Sequence, residues 1–94
     1  MKVVGKQIVE SFVEDHCDLR GQIDAWLCET EEANWKSPQD IKDRYAHASF
    51  LSNNRVVFNL KGNRYRLLVK ISYNLQIVKI ENIGTHAEYS KWNL

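Results

Sequence analysis

The chain has 94 residues, 44% of them hydrophobic and 27% charged, with two cysteines and a formal charge of +1. At this size roughly 60–65% of the unfolded chain's surface is buried on folding, which allows one unit over residues 1–94 with a modest core and excludes two independent ones. The composition excludes a disordered polyelectrolyte, no apolar run approaches the ~18 residues of a membrane span, and Met1-Lys2-Val3-Val4-Gly5 passes into Lys6, Gln7 and Glu10 rather than a secretory core, so a cytoplasmic protein is expected.

Val3 and Val4 form a very short first strand. Ile8, Val9, Phe12 and Val13 then make one apolar stripe, which predicts a helix from about Lys6 to His16. Asp18 is the expected N-cap of a second helix, Leu19 to Ala33, with Ile23, Trp26 and Leu27 inward and Asp24, Glu29, Glu31 and Glu32 in water. Trp26 and Trp35 are read as packing residues. Cys17 and Cys28 fall on consecutive helical segments of a chain without an export signal, so reduced, inert, packed thiols are expected. Ser37-Pro38-Gln39-Asp40 opens a third helix to about Ala46, with Ser37 as cap, proline at the first position and an acid at the positive helix end.

Beyond Asn53-Asn54 the period changes from helical to alternating. Arg55–Leu60, Arg64–Tyr73 and Leu75–Ile83 are predicted strands, joined at Lys61-Gly62-Asn63 and Asn74 into a three-strand antiparallel meander, the last strand being the most covered. Period two puts Tyr65, Leu67, Val69 and Ile71 on a core face and Arg64, Arg66 and Lys70 on the opposite, cationic one. Thr85-x-x-Glu88 is a capping-box pattern, placing His86 in the first turn of a short helix that ends near Trp92. The architecture is α+β: an N-terminal helical hairpin packed on a small antiparallel sheet, with a short C-terminal helix.

Charge is divided along the chain. Residues 1–50 hold six Lys/Arg against ten Asp/Glu and residues 51–94 hold seven against two, so the halves carry −4 and +5. A basic second half suits a polyanion or an acidic partner. His86 is the only imidazole in that half, beside cations with only Glu81 and Glu88 to pair with, and this combination suits phosphate chemistry. His16, His47 and the cysteines lack metal-ligand spacing, and no metal or other cofactor is expected.

Three segments together resemble the HigB toxins, a branch of the RelE-like mRNA interferases: Ala33-Asn34-Trp35-Lys36-Ser37-Pro38, the stretch Ala48–Leu67 with its Tyr65-Arg66-Leu67, and Ile83-Gly84-Thr85-His86-Ala87-Glu88-Tyr89. The resemblance implies a RelE-like fold and a toxin of a type II toxin–antitoxin pair that cleaves mRNA, usually on a translating ribosome, and is silenced by a helix-turn-helix, HigA-like antitoxin. It implies Arg66, His86 and Tyr89 as the catalytic set; Lys61 and Arg64, and Lys70 on the cationic face, are expected to contact RNA. The chain departs from many of these toxins in running Leu68-Val69-Lys70 after that motif.

Metal-independent RNA cleavage needs a group to take the 2′-hydroxyl proton, cations for the charge at phosphorus and an acid for the leaving 5′-oxygen. Arg66 suits the phosphate as a planar fork, His86 suits acid or base, and Tyr89 suits orienting the phosphate or stacking on a base. Other readings stand beside these. Arg66 could be a solvated strand residue, Lys61 and Arg64 turn-flanking solubility charges, and Tyr89 a sheet-edge aromatic. Glu88 is better read as the partner of Thr85 than as a general base, and Trp92 either frays with the terminus or contacts the antitoxin. The competing functions are a non-catalytic RNA- or protein-binding module using the same face, and a ribonuclease that needs no ribosome.

Overall fold

A computed structural model describes residues 1–94. Strand β1 (Lys2–Val4) leads through Gly5 into helix α1 (Lys6–Asp15). Gly5 sits at φ +87°, and a Cβ there would lie 2.8 Å from the carbonyl oxygen of Ile80, so only glycine turns the chain off the sheet at this point. Val9 and Val13 bury the stripe, with Ile8 and Phe12 partly covered beside them. A 3₁₀ turn, Cys17–Leu19, separates α1 from α2 (Arg20–Glu32), in which Ile23, Trp26, Leu27 and Thr30 face inward at helical spacing.

Asp18 does not cap α2, which has no side-chain cap. Its carboxylate instead accepts from the Tyr65 hydroxyl at 2.9 Å, a cross-chain partner that local spacing could not reveal. Helix α3 (Pro38–Arg44) begins after Ser37, whose side chain also makes no capping bond. Asp40 reaches back to accept from the Lys36 N–H at 2.9 Å, which ties the preceding loop to the first turn. Cys17 and Cys28 are free and exposed, so the expectation of packed thiols fails: both fall on the wet sides of their segments.

Strands β2 (Ser49–Leu51), β3 (Arg55–Leu60), β4 (Tyr65–Ser72) and β5 (Ile77–Thr85) complete a five-stranded sheet in the order β1-β5-β4-β3-β2. The expected meander is its centre. It gains β2 as an antiparallel edge and β1 as a parallel one, which makes the sheet mixed. Two residues in the left-handed conformation, Asn53 and Asn54, turn β2 into β3 as asparagine permits. The most covered strand is β4, not the last one, because β3 and β5 flank it and all of Tyr65–Val69 is buried.

Val56, Phe58 and Leu60 of β3 face Val69, Leu67 and Tyr65 of β4 across the sheet, and α1 and α2 close over this inner side. Phe58 is the hub, with the rings of Tyr45, Trp26 and Trp35 at 5.1, 5.4 and 6.3 Å. Burying one such ring contributes about 1.5–3 kcal/mol. Between the pairs Leu68–Asn82 and Val69–Ile80 a bulge inserts Glu81 into β5. The extra residue reverses alternation, so Ile80 and Ile83 both point into the core and Gly84 comes to lie beside Arg66 on the outer side.

Candidate phosphate site on the outer sheet face

Helix α4 (His86–Tyr89) opens with the expected capping box: Thr85 Oγ1 accepts from the Glu88 N–H at 3.2 Å and Glu88 Oε1 from the Thr85 N–H at 2.8 Å. It ends at Tyr89 rather than Trp92, with turn-like bonds carrying the chain onward. The His86 N–H donates to the Arg64 carbonyl at 2.9 Å, which pins the helix start to the β3–β4 turn. Those hydrogen bonds hold the imidazole above β4.

Arg66 is only 8% exposed and is the one buried charged residue of the chain. Its Nη1 donates to the carbonyls of Asn63 at 2.8 Å and Tyr65 at 3.4 Å, its Nη2 lies 3.1 Å from His86 Nδ1, and its Cζ sits 5.2 Å from the Tyr89 ring centroid. No carboxylate pairs with it. Burying a cation without a counter-charge is costly, and carbonyls and a ring face compensate only in part. A guanidinium has only donors, so His86 Nδ1 accepts, and the proton of the neutral ring is on Nε2.

The guanidinium keeps unused donors. Nε–H has no protein partner, and Trp26 Nε1 and Thr30 Oγ1 are the only sealed side-chain polar atoms lacking one, so Nε–H is not sealed from solvent, while Nη2 spends one of its two hydrogens on His86. Nε and Nη2 share the edge with which arginine grips an oxyanion in two bonds. The Tyr89 hydroxyl makes no hydrogen bond within the chain either. Glu88 is held below the ordinary carboxylate range, chiefly by the Thr85 backbone N–H and then by the Thr85 hydroxyl, which suits a cap rather than a base.

The sequence-derived set is thus divided. Arg66, His86 and Tyr89 converge. Lys70 is on the same side of β4 but four residues on, roughly 13 Å at ~3.3 Å per residue. Arg64 precedes β4 and turns toward the helical layer, its Nη1 3.8 Å from Asp18 Oδ2, so it does not share the platform with Arg66. Lys61, at φ 50°, is fixed through its backbone N–H by Gln22 at 2.6 Å and carries its ammonium into solvent at the turn. Trp92 does not fray: its Cζ2 lies 2.9 Å from where a Gly84 Cβ would be, edge-on to Tyr89 at 5.3 Å.

Two residues near the site had no signal of their own. The Asn63 carbonyl orients Arg66, and Asn59 faces Arg66 across the strands and donates to Asn63 Oδ1 at 3.4 Å. Strand register would have found Asn59; the Asn63 contact depends on the path of the turn. His47 borders a hollow with Asn59, Gly62 and Asn63, whereas His16 stacks on Phe12 at 3.9 Å in a packing role.

Fold and site together define a small α+β protein with helices on one sheet face and, on the other, a guanidinium, an imidazole and a phenol brought into mutual contact. The model of the HigB toxin family, described as the RelE-like toxic component of a toxin–antitoxin system, matches residues 19–92, and the chain belongs to that family. It is therefore the toxin of such a system, and a cognate antitoxin is its implied partner. No curated protein matches the chain. No helix is long and apolar enough to cross a membrane.

Proposed function

We propose that the protein is a metal-independent endoribonuclease of the cytoplasm that cleaves mRNA on translating ribosomes and is silenced by a helix-turn-helix, HigA-like antitoxin. What carries this function is Arg66, a buried guanidinium with carbonyl and imidazole neighbours, no carboxylate and an Nε–H without a partner. A phosphodiester supplies the missing negative charge. The toxin family supports the same conclusion.

The chemistry follows from the contacts. As the scissile phosphate takes the Nε–Nη2 edge of Arg66, the contact between Nη2 and His86 Nδ1 is exchanged for one to a phosphate oxygen. Nδ1 is then free to accept the 2′-hydroxyl proton, and the 2′-oxygen attacks phosphorus as the bond to the leaving 5′-oxygen breaks, that oxygen taking its proton from solvent water. Arg66 holds the charge that develops on the non-bridging oxygens. Tyr89, turned toward Arg66 and with a free hydroxyl, orients the phosphate, and Lys61 grips a flanking one from the turn. The products are a 2′,3′-cyclic phosphate and a free 5′-hydroxyl.

The deciding measurement incubates purified protein with mRNA, alone and with translating ribosomes, in chelator, and maps the 5′ ends. Cuts confined to ribosome-bound message are expected. Equal cutting of free RNA would make the enzyme ribosome-independent, and binding without cuts would reduce it to an RNA-binding module.

A further inference from the structure

The outer sheet face carries a second concentration of charge away from Arg66. Strand pairing sets Arg55 of β3 opposite Lys70 of β4, and Lys70 opposite Lys79 of β5. Facing positions share a side, and Lys70 is an even number of residues from Arg66, so three cations form a row on the same side as the site. Like charges directly opposed across strands destabilise a sheet, and no side-chain carboxylate lies within ion-pair distance of these three. The ion pairs of the molecule engage Lys6, Arg20, Arg44 and Arg64, none of this row. Lys70 and Lys79 are exposed; Arg55 is steadied by the carbonyls of Ser52 at 3.1 Å and Leu94 at 3.3 Å.

Between the two charged places runs the chain after α4. Trp92 fills the space over Gly84, Leu94 reaches Arg55, and the half-buried rings of Tyr89 and Trp92 keep part of their surface open. Cation, aromatic, cation is the order in which proteins hold a single strand: phosphates on the charges, bases on the rings.

We propose that Arg55, Lys70 and Lys79 are a second phosphate-binding station, where RNA whose scissile phosphate is at Arg66 sets down the backbone of a nearby nucleotide after crossing Trp92. This inference rests on the endoribonuclease function above. Its ligand is the phosphodiester backbone, of message or of ribosomal RNA.

The test compares wild type, the Lys70→Gln/Lys79→Gln double variant and Arg66→Ala in binding a fully 2′-O-methylated, uncleavable single-stranded RNA over a salt series, with ribosome co-sedimentation alongside. The double variant should bind more weakly, its slope of log K against log salt shallower by about 0.7, the contribution of one single-strand phosphate that no longer meets a cation. Its cleavage should show a raised KM, whereas Arg66→Ala should lower cleavage by about 10²–10³-fold at any substrate concentration and keep the contribution of the row to binding. Weakening confined to the free oligonucleotide places message on the row, and weakening confined to the ribosome places ribosomal RNA there; either supports the station.

Unchanged affinity and slope in both arms would overturn it while leaving the nuclease intact. Failure to bind antitoxin with RNA binding unaffected would also overturn it, making the row a protein-binding surface. If the wild type itself does not cleave while the double variant still binds RNA more weakly, the row binds phosphate but the nuclease falls, and with it a scissile phosphate at Arg66.

Discussion

At the scale of single residues, Arg66 is held where an ordinary strand arginine is not. Its neighbours on β4 are enclosed by β3 and β5, and the Asn63 carbonyl and His86 aim its head. Lysine offers one point charge in place of a planar fork, so Arg66→Lys should restore little of what Arg66→Ala removes. Each should lower cleavage on programmed ribosomes by about 10²–10³-fold, the scale of losing a group that stabilises transition-state charge. His86→Ala should cost about 10²–10⁴-fold, as expected for a general base. Growth arrest that persists with any of the three would show that the chemistry lies elsewhere.

At the scale of elements, α4 is a single turn, far too short to persist without its capping box. The Glu88 carboxyl is held below its ordinary value of 4.5. A depressed pKa contributes stability that is fully present above the unfolded value and is lost as pH falls through the folded one. The cap should therefore hold at neutral pH and loosen only as the pH falls below the ordinary carboxylate range. Trp92 fluorescence should report the loosening, and Glu88→Gln should remove that pH dependence.

A second element contact joins α2 to the end of α3: the Tyr45 hydroxyl donates to Glu29, which also takes Arg44 at 2.6 Å. The Glu29 carboxyl is held down first by Tyr45 and then by Arg44, while burial and Glu29 push the Tyr45 phenol up. Tyr45→Phe removes one hydrogen bond to a charge at a partly exposed place. It should cost about 1 kcal/mol in chemical denaturation, with RNA cleavage unaffected.

At the scale of the whole molecule, the first strand lies beside the last. β1 pairs in parallel with β5, and the Lys2 N–H donates to the Gln76 carbonyl at 2.8 Å. Gly5 permits this by turning the chain into α1 against Ile80. Gly5→Ala meets both a positive φ and a backbone clash, so it should destabilise the protein by about 1–3 kcal/mol, read as a lower denaturation midpoint. The site lies on the other face and should keep its activity in the folded fraction.

Whatever rests on local period and local chemistry is legible in the chain before it folds. The stripe of α1, the inward residues of α2, the alternation of β3 and β4 and the Thr85–Glu88 box are all written within a few residues of one another, whereas the meeting of Arg66 with His86, far apart in the chain, depends on the register of β4 against β5. Other features exist only once distant segments meet. β1 and β2 are three residues each, too short to show a period, and they are fixed by partners far along the chain. The bulge at Glu81, the diversion of Arg64 to Asp18, the carbonyl grip of Asn63 on Arg66 and the alignment of Arg55, Lys70 and Lys79 depend on strand register and turn path. Those are set by which pairing buries the most apolar surface, a property of the whole sheet that no single stretch carries.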